Sequence, residues 1–281
     1  MSSPFKAACI QFTAAPEAER NAETALRLMG KAVAAGADLV CFPEFFGGVQ
    51  ADGPRFVPTA FPQGSHPVLS ALRRSAVSSR RWLLLGSLGV TLGDGRIANR
   101  SYLIDPEGGI AARYDKIHLF DVDLGAGKAY RESATISAGS EAIVAKTPWG
   151  QLGLSVCYDL RFPQLYRALA KAGATMLVIP AAFTRLTGKA HWHVLNRARA
   201  IETGSYVIAP CQNGTLAGGA TCFGHSLIVD PWGEVLADGG EDEGFIVADI
   251  DPAKSADARR RIPALANARD FTVRVAEAVE A

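Results

Sequence analysis

Short apolar runs alternate with amphipathic stretches along the whole chain. Residues 6–12 form an uncharged run after Lys6, of strand length, whereas 21–35 bring Leu26, Met29 and Val33 onto one face at helical spacing. A second strand is predicted over 38–42, then a helix over 67–79 and a strand over 82–88. Two more strands, 98–105 and 109–114, are joined by the turn Asp105-Pro106-Glu107-Gly108. The first half therefore reads β-α-β-α-β-β.

The second half repeats it. Residues 35–43 (AGADLVCFP) align without a gap on 172–180 (AGATMLVIP), and 101–108 (SYLIDPEG) align on 226–233 (SLIVDPWG). Between these anchors each half carries one helix, 67–79 and 191–203, and one strand, 82–88 and 205–210; a strand over 222–230 leads into the second turn. Two such halves, each with helices on one face of its sheet, leave two apolar sheet faces that must bury each other. The predicted fold class is α/β, a four-layer α-β-β-α sandwich. A doubly wound sheet is the alternative, but its strands are joined mostly by helical crossovers, and the hairpins at Asp105 and Asp230 fit it badly. No linker rich in Pro, Gly or Ser separates the halves, so 1–281 is read as one domain, with a core of about 5–263 and a tail over 264–281.

Composition narrows the function. With 281 residues, 48% apolar and 20% charged, the chain can bury a substantial core and is no disordered tail. Its 29 Lys+Arg against 28 Asp+Glu leave a formal charge of +1, and the longest basic run is Arg259-Arg260-Arg261. Nucleic acid and anionic membrane are therefore not expected as partners. The N-terminus lacks a basic region followed by an apolar one, and no run of about 18 uncharged apolar residues occurs, so a soluble cytoplasmic protein is expected. Five cysteines without a Cys-x-x-Cys pair suit neither a disulfide framework nor a zinc site.

One of those cysteines invites a chemical reading. Cys157 ends a strand and precedes a helix starting near Pro163, where positive backbone dipole would lower a thiol pKa. A buried core cysteine is the alternative, as Cys9, Cys41, Cys211 and Cys222 are read. The run 38–42 closes with Pro43-Glu44-Phe45-Phe46, which holds a carboxylate at a strand end among aromatics, as suits a general base. The same position in the repeat is Ala181, so the glutamate is an addition to one half; a solvated loop residue is the bland reading. Lys116, in Tyr114-Asp115-Lys116-Ile117-His118-Leu119-Phe120, could neutralise an oxyanion or pair with Asp115 or Asp121 at the surface. If the three strand ends lie on one side of the sheets, as ligand-binding ends usually do, Glu44, Lys116 and Cys157 converge.

These motifs, Cys41-Phe42-Pro43-Glu44-Phe45-Phe46, the Lys116 segment and Val156-Cys157-Tyr158-Asp159-Leu160-Arg161-Phe162-Pro163, resemble those of the carbon–nitrogen hydrolases of the nitrilase superfamily, in the same order and over about 6–263. The resemblance implies the α-β-β-α sandwich and a catalytic Glu-Lys-Cys set without cofactor. Glu44 would take the Cys157 proton as sulfur attacks an amide carbonyl and return it to the departing ammonia. Lys116 and the Tyr158 N–H would stabilise the oxyanion, and water would hydrolyse the thioester. Glu132, in Tyr130-Arg131-Glu132-Ser133, matches the family's second glutamate, which orients the lysine and the substrate amide; an ion pair with Arg131 is its alternative. Family members are usually dimers or larger, and the apolar tail over 262–279 could pack on a partner copy.

The residues after Cys157 resemble the amidase branch that contains omega-amidase and deaminated glutathione amidase. So do Ala182-Phe183-Thr184, Thr187-Gly188, His191-Trp192 and 197–203. The substrate so implied is a small carboxylic acid carrying a primary amide, deaminated glutathione first and α-keto ω-amides second. A nitrilase or a non-catalytic binding protein stands further off. Tyr158, Arg161, Phe183 and Thr184 are the expected substrate-binding residues, with Arg161 or Arg185 available to pair with a carboxylate. The loop 213–220 lacks the charged residues this branch leads one to expect there.

No metal is expected. His191-Trp192-His193 opens a helical pattern in which residues two apart point about 200° around the axis and cannot chelate together. The glycine-rich 214–219 leads into a strand, with no helix N-terminus for phosphate, and reads as a flexible surface loop. No Gly-x-Ser-x-Gly elbow occurs.

Overall fold

The computed structural model describes residues 3–53, 55–125 and 129–276. Strand β1 (Phe5–Gln11) leads through helix α1 (Ala18–Ala34) into β2 (Leu39–Cys41), and helix α2 (Pro67–Ser79) into β3 (Trp82–Thr91). These three strands are parallel, with Ala7, Leu39 and Trp82 in register, and the antiparallel β4 (Ile97–Ile104) and β5 (Ile110–Asp115) follow. Pro67 opens α2 where its missing N–H costs nothing, and Arg80 ends it in the left-handed conformation.

Helix α1 begins three residues before the expected start, and its buried stripe is Ala25, Leu28, Met29 and Ala32, with Leu26 and Val33 only half-buried beside it. Alanines set the line of closest approach to the sheet, and a pattern weighted toward large side chains passes over them. Burying Leu28 and Met29 is worth roughly 2 kcal/mol each.

Past a short edge strand β6 (Ile136–Ser137), the second half repeats the first. It runs β7 (Val144–Thr147), β8 (Gly150–Leu154), α3 (Pro163–Lys171), β9 (Met176–Val178), α4 (Arg185–Thr203), β10 (Tyr206–Ala209), β11 (Leu227–Val229) and β12 (Val235–Asp238). Strands β8, β9 and β10 are parallel, with Leu152, Met176 and Tyr206 in register, and β11 and β12 follow antiparallel.

Two expectations need correction here. Helix α4 starts at Arg185 rather than 191, its first turns hidden from the pattern by polar residues and by Gly188, where a Cβ would stand 2.3 Å from the Phe223 ring. The strand expected over 222–230 shrinks to β11, because Gly224 and His225 take left-handed conformations (φ 73° and 53°) that a strand cannot contain.

The last strand, β13 (Gly244–Ile250), was not foreseen; it crosses back to the first sheet and pairs antiparallel with β1 along its whole length. Helix α5 (Pro252–Arg261) was not foreseen either. It carries the arginine triplet, and Arg259 turns inward to the carbonyls of Thr203 and Ala174. The first sheet thus runs β6-β4-β3-β2-β1-β13 with β5 beside β4, and the second runs β7 through β12 in order.

Alternate residues of β1 divide between the layers. Ala8 and Ile10 pack with α1 and α2, while Ala7 and Cys9 face the other sheet, the Cys9 thiol 3.8 Å from the Leu227 carbonyl. The architecture is the four-layer α-β-β-α sandwich. Beyond α5 the apolar Phe271, Val273 and Val275 stand more than four-fifths exposed, and the end of the expected apolar tail, 277–279, lies outside the described residues. Among the described residues no helix is long and apolar enough to cross a membrane.

Candidate active site

Glu44 follows β2 in a turn whose next residue, Phe45, has φ 51° and donates its N–H to Ser87 Oγ at 3.0 Å. Behind the turn the Phe42 and Phe46 rings stack at 4.8 Å. Glu44 is 3% exposed, and the position of its side chain is fully specified: Oε1 accepts from Lys116 Nζ and Asn99 Nδ2, both at 2.9 Å, and Oε2 from the Ala182 N–H at 2.9 Å. Ala182 adjoins the repeat counterpart of Glu44, so the second half supplies a backbone donor where the first half supplies the carboxylate.

Lys116 comes just after β5, its N–H anchored on the Asn99 carbonyl at 3.0 Å. Its ammonium reaches Glu44 on one side and both oxygens of Glu132 on the other, at 2.8 and 3.1 Å. Glu132 Oε2 also accepts the Phe120 N–H at 2.6 Å, and Asn99 bridges to its Oε1 at 3.1 Å. The surface alternatives for these residues are thereby removed: Asp115 pairs with Arg100, Asp121 accepts from Ser133, and Arg131 donates to the Tyr130 carbonyl. Burial by itself would strip the proton from Lys116, but Glu132 and then Glu44 outweigh it and hold the ammonium well above the ordinary lysine value.

Cys157 opens a short 3-10 helix, Cys157–Arg161, with φ 48° and its N–H bound to the Pro180 carbonyl at 2.8 Å. A non-glycine residue held in the left-handed region marks a turn fixed by its surroundings. That fixing comes from Asp159, which is fully buried and accepts from Tyr114, from the Val156 N–H and from both the backbone and the Nδ1 of His118. The Tyr158 N–H, in the first turn, has no acceptor within the helix.

The expectation of a lowered thiol pKa is not met. Burial pushes the Cys157 thiol well up, the Glu44 carboxylate adds to this by charge and hydrogen bonding, and Lys116 opposes it only in part. A five-residue 3-10 turn carries too little dipole to reverse that balance. Cys157 thus rests as a thiol beside a carboxylate that keeps lone-pair capacity for one further donor. Such a set can move a proton from sulfur to Glu44 as sulfur attacks, with a fixed ammonium nearby to meet developing negative charge.

Glu44, Lys116, Glu132 and Cys157 share one pocket, walled by Tyr158, Phe183 and Thr184 together with Phe45, Phe56, Phe120 and Thr187. The other four cysteines are buried and do not line it, although Cys211 and Cys222 lie within coulombic reach of Glu44. Two of the expected cationic groups separate. Arg161 stays at the rim, its guanidinium 5.4 Å from the Phe183 ring centroid and 5.9 Å from that of Tyr158, with His191 Nδ1 at 3.3 Å. Arg185 instead pairs with Glu241 at 2.7 Å and is already neutralised. The loop 213–220 lies at the surface, with Gly214, Thr215, Ala217, Gly218 and Gly219 exposed, but it is tethered: Ala51 donates to the Ala217 carbonyl at 2.7 Å and Leu216 is buried, which seats the loop on the hairpin that carries Phe56.

Asn99, Asp159 and Gln212, whose amide donates to the Glu44 carbonyl at 2.7 Å, were not among the expected site residues. A polar side chain in the middle of an interior strand was the available signal for Asn99, and the letter Asp159 inside the cysteine motif for the second. For Gln212, which follows β10 by three residues, the sequence offers no comparable mark.

A family model described as carbon-nitrogen hydrolase matches residues 6–260. The chain is 41% identical over 268 residues to a deaminated glutathione amidase of Synechocystis, an alignment covering 93% of this chain and 97% of that one. It is 34% identical to an omega-amidase of Xenopus tropicalis, over 92% of this chain and 93% of that one. Among solved structures it resembles the C. elegans NitFhit protein at 33% identity and a TM-score of 0.87, covering 95% of this chain and 66% of that longer one.

Proposed function

The chain belongs to the carbon–nitrogen hydrolase family, and on that premise we propose that it is a cofactor-independent amidase, releasing ammonia from the primary amide of a small carboxylic acid through a thioester on Cys157. The observation that carries the reading is the buried ammonium of Lys116 clasped between Glu44 and Glu132 beside the Cys157 thiol. Holding three charged groups out of water is costly unless each is paired, and a binding module has no use for that cost.

In the first step Glu44 takes the thiol proton as sulfur adds to the amide carbon, and Lys116 with the Tyr158 N–H meets the oxyanion, each well-placed donor contributing roughly 3 kcal/mol. The tetrahedral adduct collapses with proton return from Glu44 to nitrogen, and ammonia leaves. A water molecule, deprotonated by Glu44, then adds to the thioester, and the acid departs as the proton goes back to sulfur. Glu132 fixes Lys116 and faces the substrate amide, while Tyr158, Phe183 and Thr184 wall the acyl portion.

Deaminated glutathione is the substrate we favour, supported by the Synechocystis relative at 41% identity and by Arg161, a rim guanidinium without a carboxylate partner among the described residues. An α-keto ω-amide is the second reading, supported by the Xenopus relative at 34%. We further read about 5–263 as one catalytic domain, a cytoplasmic location in keeping with five free cysteines, and a homodimer or larger assembly. The last is supported by Leu186, Val194 and Ile201 on α4, each more than half exposed. Ammonia release from the two amides and from simple nitriles, with and without EDTA, tests the reading: activity on nitriles alone would overturn the amidase assignment.

A further inference from the structure

One cluster of ligating side chains lies outside this pocket. His193 on α4, His225 before β11 and Asp238 at the end of β12 place one ligand atom each within 4.8 Å of one another. Asp238 Oδ2 is 2.9 Å from His193 Nε2, and its Oδ1 is 2.9 Å from His225 Nδ1. The residue pair set aside in the sequence, His191 and His193, does point apart, His191 toward Arg161 and His193 toward Asp238. His193 finds its partners on other elements.

We propose that His193, His225 and Asp238 form a binding site for one divalent transition-metal ion of the zinc type. Two imidazoles and a carboxylate suit zinc, cobalt, nickel or copper rather than magnesium or calcium, and three protein ligands with water completing the shell is a common arrangement for zinc. A tetrahedral ion with bonds of about 2.0–2.1 Å sets its ligand atoms about 3.3 Å apart. Asp238 Oδ2, at 2.9 Å from His193 Nε2 and 3.2 Å from His225 Nδ1, already has nearly that spacing, while the two imidazole nitrogens, within 4.8 Å of each other, would close on the ion. The third-exposed side chains of His193 and Asp238 leave room for that water.

The ligands are held ready. His225 keeps φ 53°, its carbonyl accepts from Trp192 Nε1 at 2.7 Å, and its ring stacks on Phe223 at 4.5 Å. Gly240 donates to Asp238 Oδ1 at 2.9 Å, the kind of outer contact that orients a ligating carboxylate. Glu241, within coulombic reach of His225, adds negative charge beside the site, tempered by its partner Arg185. On binding, each ligating nitrogen must present a lone pair: a neutral imidazole shifts its hydrogen to its other nitrogen, and a protonated one releases a proton to solvent. The ion would tie α4 to the β11–β12 hairpin behind Phe183, whose ring lies 5.0 Å from that of Trp192, without touching Cys157.

Titration of the full-length protein with Co2+, followed by its visible absorption and by competition with Zn2+, tests this. Expected are one ion per chain, a thermal midpoint that rises with Zn2+, and an affinity about tenfold or more lower in His193→Ala and in His225→Asn. Asparagine tolerates the left-handed backbone at 225, and His193→Ala lies on a helix surface, so at least one variant should fold. Amide hydrolysis without added metal should be the same in both. No binding at about 100 µM Zn2+ would overturn the proposal. So would unchanged affinity in the folded variants, or a near-ultraviolet thiolate band assigning the ion to a cysteine.

Discussion

The Tyr114 hydroxyl donates to Asp159 Oδ2 at 2.7 Å. Tyr114 belongs to the last strand of the first half, and Asp159 to the turn that carries Cys157 in the second. The same carboxylate takes the Val156 N–H at 2.8 Å, immediately before the cysteine, and so holds that backbone in a conformation that costs a non-glycine residue roughly 1–2 kcal/mol. Neither half of the duplication makes the site alone. The first contributes Glu44, Lys116 and Glu132, and the second contributes Cys157 and the Ala182 N–H on Glu44.

If Asp159 positions the nucleophile, Asp159→Asn should lower turnover by about tenfold or more while KM moves little, because its one amide nitrogen must face either the Val156 N–H or the His118 donors. Tyr114→Phe removes the bond to Asp159 and the one accepted from the Ile117 N–H, leaves the other Asp159 donors in place, and should cost about 1–3 kcal/mol of stability by denaturant titration. Equal effects of both variants on stability with normal turnover would reduce Asp159 to a structural role.

Glu44→Gln and Lys116→Met should each fold yet lose at least about a hundredfold in turnover, since base and oxyanion donor act on the transition state. They differ in a second respect. Lys116→Met leaves Glu44 and Glu132 facing each other without their shared cation, and two buried carboxylates so placed must hold a proton between them. Its stability should therefore fall more than that of Glu44→Gln, and turnover per folded molecule in either variant near that of the parent would exclude the triad.

Much of this arrangement was legible in the sequence, and the reason is local chemistry. The gapless repeat at 35–43 and 172–180 shows itself in two parallel triplets of strands with matching register, because turn and strand residues carry their signal within a few positions. Glu44, Lys116 and Cys157 could be singled out as charged or nucleophilic residues at strand ends. What could not be read depends on contacts distant in the chain. Strand β13 pairs across some 240 residues with β1, and Asn99 joins Glu44 to Glu132 through an amide that looks ordinary in its own strand. The thiol pKa erred for the same reason, since local dipole pointed down while burial and a carboxylate from the other half point up.

That raised pKa changes the expected alkylation behaviour. Cys157 alone among the cysteines lines the pocket, so iodoacetamide should modify it first and abolish turnover. The rate should keep rising about tenfold per pH unit through pH 9 without a plateau, because the reacting thiolate stays a minor species throughout. A plateau near neutrality would mean that Lys116 outweighs Glu44 at the sulfur. Labelling of Cys9, Cys41, Cys211 or Cys222 ahead of Cys157, read by peptide mapping, would remove the nucleophile assignment.

His66 sets an acid limit on the fold. Its ring is fully buried before α2, edge-on to Phe61 at 5.2 Å, and neither nitrogen makes a well-formed hydrogen bond among the described residues, the Gly89 backbone being a weak partner that only partly opposes burial. Burial pushes the imidazole down from 6.5 to about 4. The unfolded chain therefore binds this proton first, so the contribution is complete above about pH 6.5 and is lost as pH falls through about 4. At 1.36 kcal/mol per pKa unit the loss approaches roughly 3 kcal/mol. His66→Phe keeps the ring shape and removes the titration, so the unfolding free energy of the variant relative to the parent should rise by about that amount between pH 7 and pH 4. A difference that stays flat across that range would show that the imidazole does not titrate there.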